Sequence, residues 1–205
     1  MASRDLAIYA VHAGFWAAFG VTHLLLRRAP AGGAGAETVR AGVGARAPEA
    51  AEAPHSKLLV WFHALAFGVM YFGIGSTVVP GRVPDRFPGQ RILGALVIAS
   101  GSALMCWARA AFESWRFRAK VEAGHGLATG GPFSFIRHPI YAGLDLLAVG
   151  SAIWIPTPVM AAAAILMIAG SDLRGRAEEN LLERTFGAPY RDLMTRTRRF
   201  VPGVY

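Results

Sequence analysis

The chain has 205 residues, of which 54% are hydrophobic and only 17% charged, against roughly 25% charged in an ordinary soluble domain. That deficit points to a membrane protein, and the single cysteine, Cys106, set inside an apolar run, excludes a disulfide framework and a cysteine metal site. The net charge of +8 rests on 19 Arg and 2 Lys gathered at the ends of apolar segments, where cytoplasmic loops of membrane proteins carry them, so nucleic acid is set aside as a partner.

Residues 6–26 (LAIYAVHAGFWAAFGVTHLLL) have the ~20 residues that cross a ~30 Å hydrocarbon core. A cleaved signal peptide has a shorter apolar core and a basic start, whereas this stretch is bounded by Arg4-Asp5 and Arg27-Arg28. It reads as an uncleaved span. Residues 29–56 are rich in Ala, Gly, Pro and Glu, lack apolar periodicity, and predict a flexible cytoplasmic loop. Residues 58–79 and 92–112 predict the second and third spans. The apolar region 139–173 is too long for one crossing, and its IPTP at 155–158 holds two prolines that break helical hydrogen bonding. A helical hairpin follows: one helix through 139–155, a tight turn, and a return through 158–173.

The tail, 174–200, carries Leu181, Leu182 and Phe186 ahead of Gly187, a helix-stop signal. It predicts an amphipathic helix continuing the fifth span, a turn at Gly187-Ala188-Pro189 and a second short helix. The expected fold is thus an all-α integral membrane protein with five transmembrane helices, including a C-terminal helical hairpin, plus C-terminal amphipathic helices. With the N-terminus outside, 17 of the 21 basic residues fall on the inner side, and only Arg4, Arg82, Arg86 and Arg91 on the other. The positive-inside bias therefore predicts N-out, C-in. The Ala/Gly/Arg-rich, Lys-poor usage points to a bacterial genome, and with it to an inner membrane.

The concentrated polar features all fall on that inner side, in the loop 113–137 and in the helix from 171 to 186. HGLATGGPFSFIRHP (125–139) is Gly-rich and bounded by two histidines. Such a loop serves either as a plain connection or as a backbone cradle that a ligand approaches closely. Arg137 and His138 stand immediately before Pro139, which suits the first turn of a helix, so they lie where a helix N-terminus favours an anionic group. Arg174 and Glu178 are i,i+4 neighbours, either as a solvated salt bridge or as part of a site. Glu178 and Glu179 lie about one turn beyond the membrane boundary and face the loop of His125, Arg137 and His138. A convergent set of acids, arginines and histidine at the mouth of an apolar bundle suits a lipophilic substrate meeting a charged cofactor.

The pattern G-P-F-x-x-x-R-H-P-x-Y-x-G runs through Gly131, Pro132, Phe133, Arg137, His138, Pro139, Tyr141 and Gly143. About 35 residues later comes E-E-x-x-L-x-x-x-F-G-x-x-Y, through Glu178, Glu179, Leu182, Phe186, Gly187 and Tyr190. Together they resemble the isoprenylcysteine carboxyl methyltransferase family, which groups with phospholipid N-methyltransferases and small-thiol methyltransferases. The resemblance covers roughly 113–202. It implies an integral membrane enzyme that takes methyl from S-adenosylmethionine, with a cytoplasmic cofactor loop. It implies that His125, Gly126, Leu127 and Ala128 line the cofactor pocket, and that His138, Pro139, Ile140 and Tyr141 form a second cofactor-contacting stretch. Phe133 stands where eukaryotic members usually have tyrosine, so a hydroxyl contact is missing there. Glu178, with Glu179 beside it, matches the acid that holds the cofactor, and Arg174 the arginine that faces the substrate. Arg137 joins Arg174 as a candidate catalytic group.

These roles divide the chain into residues 1–112, three spans with the loop 29–56, and residues 113–205, the catalytic core. A carboxylate or thiolate acceptor is already nucleophilic, so methyl transfer needs positioning and dehydration rather than a general base. The expected partners are the bilayer and a lipophilic small molecule or lipid, most simply a carboxylate, with a small thiol or lipid amine as alternatives. A sterol-reductase-like NADPH enzyme on a related scaffold is a further alternative, against which the Glu178-Glu179 charge would repel the 2′-phosphate. A non-catalytic module that keeps the scaffold is another. Asp145, one turn past Tyr141, is either a substrate-side group or the structural partner of an arginine. His12, His23 and His63 read as packed histidines in spans rather than as metal or haem ligands; no metal site is expected.

Overall fold

In the computed structural model, the described residues are 2–28, 38–40, 51–52, 55–111, 120–121 and 126–205. Five long helices dominate: α1 (Ala2–Arg28), α2 (Ser56–Val78), α3 (Gln90–Ala111), α4 (Pro139–Trp154) and α5 (Pro158–Phe186), followed by the short α6 (Ala188–Arg196). Among the described residues four helices are long and apolar enough to cross a membrane: α1 over Asp5–Leu26, and α2, α3 and α5. α4 is apolar too, but its 16 residues rise about 24 Å, short of a full hydrocarbon core. The expected hairpin is present, with a turn at Ile155–Thr157. Thr157 caps α5 by accepting from the Met160 N–H at 3.3 Å, and Pro158 occupies the first turn, where its missing N–H costs nothing.

α3 lies along both α1 and α4, and α5 along α2 and α4. The α3/α4 contact is built on glycines spaced seven residues apart on each helix. A Cβ on Gly94 would stand 2.7 Å from the Gly150 carbonyl oxygen, and one on Gly101 2.7 Å from that of Gly143. Small residues at such crossings let two backbones meet where lipid supplies no hydrophobic drive for helix association. Ile74, Ile98, Leu147, Met160 and Met167 fill the core between the helices, while Leu25, Trp61, Phe72, Ile92 and Ile165 face outward as a lipid-facing belt would.

Two short antiparallel strand pairs depart from the purely helical expectation. β1 (Thr38–Arg40) pairs with β4 (Gly126–Ala128), and β2 (Ala51–Glu52) with β3 (Lys120–Val121). Strands of two or three residues leave too little alternation to stand out from loop sequence, and their partners lie some 70 to 90 positions away. Residues 29–37, 41–50 and 53–54 of the predicted loop lie outside the described residues, and Ser56 already begins α2.

α5 runs unbroken for 29 residues, about 44 Å, so it projects beyond a bilayer core and carries its charged second half with it. Gly187, at φ 60°, ends it and begins α6 at once, narrowing the expected three-residue turn to one position. After α6 the chain folds back. Arg137 N–H donates to the Arg198 carbonyl at 2.7 Å, His138 N–H to that of Arg199 at 3.1 Å, and Arg198 N–H to that of Phe135 at 3.1 Å. The C-terminal segment is thereby laced to the approach of α4.

Candidate active site

Local chain geometry places the first half of the site. His138 precedes Pro139 with φ −124° and ψ 60°, outside the helical region that the proline ring disfavours for the residue before it. Its ring is turned inward and 6% exposed. Tyr141 follows one turn later with its ring 5.6 Å from that of His138, nearly parallel at 16°. From α5, Glu178 accepts the Tyr141 hydroxyl, and the Arg174 guanidinium lies 4.8 Å above the Tyr141 ring centre. Glu178 Oε2 is 3.5 Å from His138 Nδ1, and Glu179 Oε1 is 3.4 Å from His138 Nε2. His138 therefore sits between two carboxylates, an arrangement that only the doubly protonated imidazolium satisfies on both sides. Its Nε2 lacks the alignment of a hydrogen bond, and the buried Tyr190 hydroxyl nearby is likewise unsatisfied among the described residues.

Glu179 anchors the fold-back. It accepts from Arg137 Nε at 2.8 Å and from Arg199 at 3.1 Å (Nε) and 2.6 Å (Nη2). Arg137 also donates to the Thr197 carbonyl at 2.7 Å, and Arg199 reaches Asp172 at 3.0 Å and the Tyr205 hydroxyl at 2.6 Å. Gly175 makes room for this, since a Cβ there would press on Arg199, Phe200 and His138 at 3.3–3.4 Å. The sequence pattern did not single out Arg199. Three arginines stand in the RTRRF run, and nothing local tells which one turns inward across twenty residues to Glu179.

The remaining sequence-derived candidates surround this centre. His125 lies outside the described residues. Gly126, Leu127 and Ala128 form β4; Leu127 packs with Phe186, Tyr190 and Leu193, and Ala128 with Ala108 and Phe133. Ile140 bridges that second cluster to the main core, and Pro139 is buried at the start of α4. Asp145 lies one turn deeper than Tyr141, where its Oδ1 accepts from the Ser171 hydroxyl at 2.7 Å. The sequence offered it an arginine or a substrate; the α5 residue opposite is this serine.

Burial alone pushes the His138 pKa down, but Glu178 and Glu179 outweigh that and hold it above the usual histidine range. The sign follows. A histidine raised on folding gives stability that is fully present below its unfolded pKa, about 6.5, and is lost as pH rises through the higher folded value. Purified protein should accordingly lose thermal stability as pH climbs from 6 towards 9. His138→Gln should flatten that part of the profile, and an unchanged slope would show that His138 does not carry it. Glu179 pushes Arg199 upward, so that pair stays charged across the same range.

An apolar helical bundle with acids, arginines and histidine gathered at one end defines the class: a membrane protein with a polar site at its boundary. Residues 90–189 match the family model PEMT, phospholipid methyltransferase. The match runs from α3 to the start of α6, and the two motifs resemble the same group of membrane methyltransferases. No curated protein matches the chain. Methyltransferases of this family generally use S-adenosylmethionine. The residues here fit such a group on their own chemistry. Glu178 offers a carboxylate for an ammonium, and the Tyr141 ring an electron-rich face for a sulfonium. The unsatisfied His138 Nε2 and Tyr190 hydroxyl are polar atoms that a ligand or water would complete.

Proposed function

We propose that this membrane methyltransferase moves a methyl group from S-adenosylmethionine to a lipophilic acceptor at the bilayer boundary. The observation that carries the reading is the meeting of Glu178, Arg174 and His138 around the Tyr141 ring. S-adenosylmethionine, when bound, supplies an electrophilic methyl. Glu178 holds the cationic end of the cofactor, with Tyr141 fixing the carboxylate's orientation; Leu127, Ala128, Phe133, Pro139 and Ile140 give an apolar wall. Arg174, one turn nearer the apolar half of α5, orients the acceptor, and a carboxylate acceptor suits its planar guanidinium best. Arg137 and Glu179 act through the fold-back, holding His138 and the start of α4 in place.

Asp145 favours a second reading. A half-buried carboxylate below Tyr141 attracts a protonatable acceptor, a lipid amine, rather than an anion. A methyl-transfer screen in membranes with radiolabelled S-adenosylmethionine, across carboxylate, thiol and amine lipids, separates the two. Transfer to none of the three classes would contradict the proposed activity.

We place the residues of 113–205 as the catalytic part, packed on α3, and retain five crossings with N-out, C-in on the inner membrane. In the hairpin, α4 lies level with the apolar first half of α5, so the two cross or fail to cross together. The basic residues of the tail then face the cytoplasm, and the site with them. A cysteine placed at 196 is expected to resist an impermeant thiol reagent in intact cells and to react after permeabilisation. Labelling in intact cells would overturn this orientation.

A further inference from the structure

Beneath the Tyr141–Glu178 contact the hairpin repeats its pairing one step deeper. Asp145 is one turn after Tyr141 on α4, and Ser171 is seven residues before Glu178 on α5, so the Ser171–Asp145 hydrogen bond of 2.7 Å is a second rung of the same ladder. One residue of α2 touches both rungs. His63 Nε2 lies 3.4 Å from Ser171 Oγ, and its ring is 5.9 Å from the Tyr141 ring at 29°. The Ser171 hydroxyl hydrogen is committed to Asp145, so its oxygen accepts from His63 and Nε2 carries the imidazole proton. Gly170 lets α5 seat against this ring: a Cβ there would stand 3.2 Å from His63 Nδ1 and Cε1, and 3.0 Å from Phe62. His63 is 4% exposed, in the apolar middle of α2, where polar side chains are costly.

α2 lies outside the 90–189 family match, so this contact comes from a part of the chain that the match does not reach. We propose that His63 is a positioning residue of the methyl-transfer site, a claim that rests on the reading of the Glu178–Arg174–Tyr141 cluster as that site. Holding Ser171 sets the rotation and height of α5. Arg174 and Glu178 follow at three and seven residues on the same face, so any slip at Ser171 displaces both relative to Tyr141. Lying against the Tyr141 ring, His63 also restrains the ring over which the arginine sits.

Two substitutions divide these contacts. His63→Gln keeps a donor for Ser171 and loses the ring; His63→Phe keeps the ring and loses the donor. Wild type and both variants, labelled with 3-fluorotyrosine in lipid nanodiscs, are compared by turnover, S-adenosylhomocysteine affinity, thermal midpoint and the Tyr141 fluorine resonance, assigned through Tyr141→Phe. A misplacement of about 1 Å costs on the order of a hundredfold in rate, so kcat is expected to fall about ten- to a hundredfold. Affinity and thermal midpoint should hold while the Tyr141 resonance shifts. Unchanged kcat and resonance in both variants would overturn the proposal, as would a joint loss of kcat, affinity and thermal midpoint, which marks a packing residue. If wild type itself neither binds S-adenosylhomocysteine nor transfers methyl, the methyl-transfer reading fails. The resonance then decides alone whether His63 positions Tyr141: a shift upholds it and no shift overturns it.

Discussion

Arg174→Lys should leave S-adenosylmethionine binding nearly intact while methyl transfer to a carboxylate acceptor falls about 30- to 1000-fold, the equivalent of about 2–4 kcal/mol of transition-state stabilisation. The guanidinium carbon lies 4.8 Å from the Tyr141 ring centre, one turn before Glu178 and nearer the apolar half of α5. A planar guanidinium presents fixed, paired donors to an arriving anion. Lysine keeps the charge but not the plane or the fixed fork of donors. Paired measurement of cofactor affinity and turnover on the purified variant checks this. A mild effect on turnover would favour a neutral amine or small thiol acceptor, which gives the arginine no anion to hold. Loss of affinity and turnover together would move Arg174 into the cofactor pocket or the fold.

Glu178→Gln should weaken cofactor binding by about 1.5–3 kcal/mol, the range for a hydrogen bond to a charged group. The substitution keeps the shape and still offers the Tyr141 hydroxyl an acceptor, so the helix contact survives while the charge is removed. His138 also loses one of its two carboxylate neighbours, which should lower its pKa and shift the stability profile towards lower pH. Isothermal titration with S-adenosylhomocysteine reads the first effect, and melting against pH the second. Unchanged affinity in a folded variant would reduce Glu178 to a structural partner of Tyr141 and His138.

Much of this arrangement is legible in the amino-acid order because it rests on local rules. Pro156 and Pro158 mark the hairpin turn, Gly187 ends α5, and Pro139 starts α4 directly behind Arg137 and His138. Two motifs on facing helices of a hairpin must come together, and Tyr141 does meet Glu178. What local order does not carry is long-range and specific. Arg199 reaches Glu179 only because the chain reverses after α6, a reversal held by backbone bonds between 135–138 and 198–199. The strand pairs join a loop to segments far along the chain, with too few residues to leave a pattern. His63 looked like any packed histidine of a span until α5 was seated against it through Gly170. The length of α4 is a matter of degree: the apolar run is continuous, but the helix that it forms is shorter than a full crossing.

The most direct measurement is a titration of the purified, folded protein in nanodiscs with S-adenosylhomocysteine, and separately with NADPH. Saturable binding of S-adenosylhomocysteine, weakened by Glu178→Gln, and no saturable binding of NADPH are expected. Saturable NADPH binding, or no S-adenosylhomocysteine binding by protein whose melting profile shows it intact, would overturn the proposed methyl transfer.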